Sequence, residues 1–168
     1  MSRGWWKLTW DLTTKLDIYF GHAVLNKLEL EDFQRVTQHC NNVTSLSLTR
    51  ITLYPVPVSW LELFFNLPRV THLSLTMTVH DIAWLTNMVH LRSLSTCKFA
   101  NTQYYEINQL TNLTHLDLSN NEYDISASLI GQLTNLLSLS FIDLVDARHI
   151  FNSLTNLTKL RIRSLTDE

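Results

Sequence analysis

Leu110-Thr-Asn-Leu-Thr-His-Leu-Asp-Leu118 returns almost unchanged as Leu133-Thr-Asn-Leu-Leu-Ser-Leu-Ser-Phe141 and again as Leu154-Thr-Asn-Leu-Thr-Lys-Leu-Arg-Ile162. Each copy ends in the alternation that a strand with one buried face requires, because side chains two apart point the same way. In the first copy Leu116 and Leu118 point inward, while His115, Asp117 and Ser119 point outward. With the second Leu of L-x-x-L-x-L as anchor, the unit recurs at Leu46, Leu73, Leu94, Leu116, Leu139 and Leu160, at intervals of 27, 21, 22, 23 and 21 residues. A strand with its returning segment cannot bury an apolar face alone, so the units must stack around one continuous core. The expected fold is therefore an α/β solenoid, curved, with a parallel β-sheet on the concave face and short helices or irregular turns on the convex face.

Outside the clear anchors the pattern thins. Leu28, in Leu25-Asn-Lys-Leu28-Glu-Leu30, stands only 18 residues before Leu46, short for a full repeat. Residues 1–24 hold Trp5, Trp6, Trp10, Tyr19 and Phe20 and are expected to cap the first coil; residues 25–168 then form a repeat domain of about six to seven units. Apolar residues at three and four spacing predict helices over 31–39, 58–65 and 124–133, and one or two helical turns within 144–153. Tyr54-Pro-Val-Pro57 is extended by proline chemistry and accounts for the longest interval. The last strand, expected over 157–165, has no evident cap after it. Either the chain is a fragment of a longer solenoid, or that strand is an edge guarded by outward Lys159, Arg161 and Arg163, and the chain is expected to be a monomer unless that edge pairs.

Bulk properties exclude several classes of partner. At 168 residues the chain is one domain by length, a size at which roughly 70% of the unfolded surface is buried. Its net charge of −2 supplies no basic stripe for nucleic acid or an anionic membrane. The opening MSRGWWKLTWDLTTKLDIYF contains no apolar block of leader length, and no run elsewhere is long enough for a transmembrane helix. Cys40 and Cys97 fall in different repeats, so reduced thiols and a cytoplasmic location are expected.

Catalysis and metal binding are opposed by the register. His72 and His115 hold the same outward position two strands apart, roughly 10 Å at a strand spacing of about 4.8 Å, whereas zinc ligands converge within about 2.0–2.3 Å of one ion. Cys97 and His115 are offset by four positions on adjacent strands, over about 13 Å, too far for a nucleophile and its base. Glycines occur only at Gly4, Gly21 and Gly131, so no phosphate-cradling loop exists. Neither an enzyme nor a cofactor is expected. The N-x-[ST] triplets at Asn42, Asn112 and Asn156 all sit in the turn entering a strand, and repetition of Thr-Asn-Leu-Thr explains them without glycans.

The outward columns carry the functional expectation. After each anchor come Glu29, Ser47, Ser74, Ser95, Asp117, Ser140 and Arg161; before it come Lys27, Ser45, His72, Ser93, His115, Ser138 and Lys159. Small hydroxyls dominate the middle, which suits both close strand stacking and a shallow binding floor. Glu29, Glu31 and Asp32 make the first end acidic; Lys159, Arg161 and Arg163 make the last end basic. Charges at two ends of a surface set orientation and association rate more than affinity. The candidate partner-binding residues are Ser47, His72, Ser74, Ser93, Ser95, His115, Asp117, Ser119, Ser138, Ser140, Lys159, Arg161 and Arg163.

The recurring L-x-x-L-x-L over about residues 25–165 resembles the leucine-rich repeat family, which implies a solenoid that binds another protein on its strand face. One feature departs from that family. Only Asn121 holds the family's Asn after the strand, the equivalent positions being Ile51, Thr78, Phe99, Leu144 and Leu165. Phe33-Gln-Arg-Val-Thr-Gln-His-Cys-Asn-Asn-Val-Thr-Ser-Leu-Ser-Leu48 looks like the helix, His-Cys turn and strand of F-box-type members, which implies substrate recognition for a ubiquitin ligase. Leu110 to Asn121 is similar instead to internalin-like and bacterial effector repeats, which implies a grip on a host protein.

Overall fold

The computed structural model describes residues 9–11, 14–20, 34, 37, 40–50, 58–65, 67–79, 83–99, 104–120, 125–142, 144–145 and 150–162. Ten strands occur among them: β1 (Thr9–Asp11), β2 (Lys15–Phe20), β3 (Ser45–Arg50), β4 (His72–Val79), β5 (Ser93–Phe99), β6 (His115–Leu118), β7 (Ile125–Ser126), β8 (Ser138–Phe141), β9 (Leu144–Val145) and β10 (Lys159–Ile162). The main sheet runs β1-β2-β3-β4-β5-β6-β8-β10. Every neighbour pair from β2 onward is parallel, and only β1 is antiparallel to its neighbour. A small parallel pair, β7 with β9, lies apart from it. Between the strands run the helix Val58–Phe65, the 3-10 turns Ala83–Asn87 and Tyr104–Gln109, and the short helices Ala127–Ile130 and Ile150–Ser153. The solenoid read from the anchors is thus the observed architecture.

Register explains why the anchors dominate. Leu16, Leu46, Leu73, Leu94, Leu116 and Leu139 stand side by side across successive strands and are all buried. Further columns lie at fixed distances before them. Phe64, Leu85, Ile107 and Ile130 precede their anchors by nine residues; Cys40, Leu67, Met88, Leu110, Leu133 and Leu154 precede theirs by six; all are buried. Each coil therefore contributes one side chain per layer to a core that runs the length of the sheet.

The Leu-Thr-Asn-Leu stretch is a β-turn repeated from coil to coil. Its closing N–H donates to the carbonyl three residues earlier, as in Leu113 to Leu110 (2.9 Å), Leu136 to Leu133 (3.0 Å) and Leu157 to Leu154 (3.1 Å). Asn112 Nδ2 then donates to the Val89 carbonyl of the preceding coil (2.8 Å), Asn135 to Thr111 (2.8 Å) and Asn156 to Thr134 (3.0 Å). An asparagine ladder is thus present, but in the turn before the strand. Thr hydroxyls make a second ladder two residues before the anchor: Thr44 to the Thr14 carbonyl (3.2 Å), Thr71 to Thr44 (3.3 Å), Thr114 to Arg92 (3.0 Å) and Thr158 to Leu137 (3.0 Å). Each of those carbonyls also accepts two backbone N–H groups from the next coil, for example Thr114 (2.8 Å) and His115 (3.0 Å) on Arg92.

Several expectations change. The strand beside β3 is β2, so the coil before Leu46 is anchored at Leu16 and not at Leu28, which lies outside the described residues. Thr13 stands where other coils carry Val or Leu three before the anchor, so the L-x-x-L half of the motif is missing there. Lys15–Phe20, read as part of a capping segment, is a strand of the parallel ladder, and β1 lies outside it. The helix expected over 124–133 is confined to Ala127–Ile130, because β7 occupies Ile125–Ser126. The helix over 58–65 is observed as expected. Of 31–39 only Gln34 and Thr37 are described, both helical, and Tyr54–Pro57 lies outside the described residues. The final strand is Lys159–Ile162, shorter than 157–165.

Candidate functional site

Two rows of outward side chains cross the concave face. Asp17, Ser47, Ser74, Ser95, Asp117, Ser140 and Arg161 are in register across seven strands, and Lys15, Ser45, His72, Ser93, His115, Ser138 and Lys159 form the row beside them. The serines and Asp117 are partly buried by close strand stacking, whereas His72, His115, Lys159 and Arg161 are exposed. The result is a shallow hydroxyl floor from which the histidines and terminal cations rise. Ser119 follows β6, and its N–H donates to Asp117 Oδ1 (3.0 Å), so that carboxylate is fixed by its own turn.

The histidine rings are fixed by the threonine ladder. Thr71 Oγ1 lies 2.8 Å from His72 Nδ1, and Thr114 Oγ1 lies 2.9 Å from His115 Nδ1. Each of these hydroxyls also reaches the carbonyl of the preceding coil, so ring and ladder are held by one side chain. The two rings flank Ser93.

Lys15 and Asp17 were missed as members of the rows. They pair with each other at 3.3 Å and stand where Lys27 and Glu29 were expected. The signal lay in Thr14-Lys-Leu-Asp-Ile18, which matches Thr114-His-Leu-Asp-Leu118 position by position. Lys27, Glu29, Glu31, Asp32, Arg163 and the Cys97 side chain lie outside the described residues. Cys40 is a reduced thiol inside the core, and burial pushes its pKa up. Among the described residues no helix is long and apolar enough to cross a membrane.

No protein-family model and no curated protein matches this chain. Solved structures do. Internalin C2 of Listeria monocytogenes aligns with a TM-score of 0.50 at 18% identity, covering 90% of this chain and 74% of that one. Internalin F of the same bacterium gives a TM-score of 0.47 at 18% identity, over 78% of this chain and 45% of that one. The Drosophila Toll–Spätzle complex gives 0.49 at 12% identity, over 95% of this chain and 32% of that one. The chain spans less than half the length of these last two. The fold is that of a leucine-rich repeat solenoid. Within that class, the arrangement of coils is similar to that of internalin C2.

Proposed function

We propose that the chain is a non-enzymatic interaction module that holds a partner protein on its concave strand face. The observation that carries this reading is the pair of in-register polar rows, rich in serine across the middle strands and charged at both ends. A Ser-lined floor loses little side-chain entropy on contact and admits a helix or loop close to the sheet. The exposed rings of His72 and His115 favour a partner that presents polar groups to the centre. Lys15 and Asp17 at one end and Lys159 and Arg161 at the other fix its direction.

Capture of partners by wild-type chain, by a Ser95→Arg/Asp117→Arg variant and by an Asn87→Arg/Asn152→Arg variant on the opposite side tests the reading. The first pair stands side by side in register, and arginines there would fill the floor. Loss of a partner with the first variant alone is the expected result. Equal capture by all three proteins would overturn it.

A further inference from the structure

Aligning the coils shows where the turn ladders are broken. Four residues before the anchors stand Asn42, Arg69, His90, Asn112, Asn135 and Asn156; two before stand Thr14, Thr44, Thr71, Arg92, Thr114, Leu137 and Thr158. Arg69, His90 and Arg92, the basic side chains in these columns, belong to two adjacent coils. At Arg92 the usual Thr is missing, and the Thr71 carbonyl takes only backbone donors, from Arg92 (2.8 Å) and Ser93 (2.9 Å). The replacements give up ladder bonds that neighbouring coils keep.

All three line one open groove of about 480 Å³ on the turn side of the sheet, beyond the concave rows. No residue lining it is acidic, and none of the three forms an ion pair among the described residues. Arg69 Nη1 donates to Asn42 Oδ1 (3.1 Å), which steadies the guanidinium and leaves the rest of its fork for another acceptor. Pro68 and Val89, the latter 60% exposed, give the same groove an aliphatic patch.

We propose that this groove is a second interface, which binds an acidic peptide segment of a partner protein. Carboxylates sit on Arg69 and Arg92, His90 adds a further polar contact, and an aliphatic side chain covers Val89 and Pro68. Guanidinium forks match carboxylates in a bidentate manner. The aliphatic patch favours a peptide over a lone inorganic anion. This inference rests on the reading of the chain as a protein-binding module, but it uses a different surface.

The test is amide NMR of the full chain titrated with a capped Glu-Leu-Glu-Glu peptide, its Lys-Leu-Lys-Lys counterpart and inorganic phosphate. Arg69→Asn, His90→Asn and Arg92→Thr together install the ladder residues of the other coils, so this variant keeps the fold, as an unchanged or higher urea midpoint would verify. The acidic peptide should shift amides over 69–71 and 89–92, and should bind at least about tenfold more weakly to the variant and in about 0.5 M salt. Shifts centred on Lys159 and Arg161, or binding unchanged in the variant, would overturn the proposal. Tighter binding of phosphate than of the acidic peptide would overturn it in favour of a small phosphorylated ligand. The Ser95→Arg/Asp117→Arg variant should keep the peptide response, so failure of the concave reading and failure of the groove are read separately.

Discussion

Cys40 occupies the layer that Leu67, Met88, Leu110, Leu133 and Leu154 fill in other coils. Its chemistry is therefore that of a small apolar side chain. Burial disfavours the thiolate, so the folded pKa lies above the unfolded one. The native preference for the neutral thiol is fully present below about pH 9, the ordinary thiol value, and is lost as pH rises through the folded value. Urea unfolding followed from pH 7 upward should show stability falling above that point, and a Cys40→Val variant should lack this component. An identical pH profile for both proteins would exclude the effect. Thr96 is the other residue that breaks a core column, taking the place of Leu75 and Leu118 while remaining 2% exposed. The sheet register shifts at this level, where β4 carries an extra residue between Leu75 and Thr78.

At the level of the turn, the asparagines tie one coil to the next. Asn135→Ala removes the bond to the Thr111 carbonyl (2.8 Å) without touching the core. It should lower unfolding free energy by about 0.5–1.5 kcal/mol in urea titrations, while Asn87→Ala, exposed and outside the ladder, should be near neutral. Equal effects would remove the ladder as a source of stability. The same asparagines separate what was readable in the chain from what was not. Strand register was readable because a period of two is visible in Leu116-Asp-Leu118 and in its copies. The ladder was not, because each donor and carbonyl lie more than twenty residues apart and the Asn sits before the strand. β2 escaped notice because Thr13 removes the leading apolar residue and because Leu16 lies 30 residues ahead of Leu46. The cationic groove becomes visible only when the columns are aligned, since Arg69, His90 and Arg92 belong to no local motif.

For the molecule as a whole, the two ends of the sheet differ. Among the described residues, β1 lies antiparallel against β2 at one end, whereas β10 is bonded to β8 alone at the other. The core residues of β10 are partly open, with Leu160 37% and Ile162 57% exposed, compared with 0% for Leu139 and 4% for Phe141 in the coil before. Outward charges on a strand at a sheet edge oppose its pairing with another strand, and Lys159 and Arg161 are exposed on β10. Replacing both by Thr should raise self-association in sedimentation at the same concentration, and unchanged behaviour would count against the edge role.

The carbonyls that accept bonds from the next coil bear on how such a chain changes length. The backbone N–H groups of each coil bond to the same carbonyl of its predecessor in every coil, so that part of the joint does not depend on the side chains present. Excision of one whole period, Asp117 through Leu139, would bring Asn156 and Thr158 opposite the acceptors at Thr111 and Thr114. Loss or gain of a single residue between the turn and the anchor would misalign the layers of that coil, whereas the unequal intervals between anchors show that the returning segments absorb changes of length. Growth and shortening by entire coils is thus a variation this architecture tolerates, and it would alter the reach of the concave face while leaving its chemistry in place.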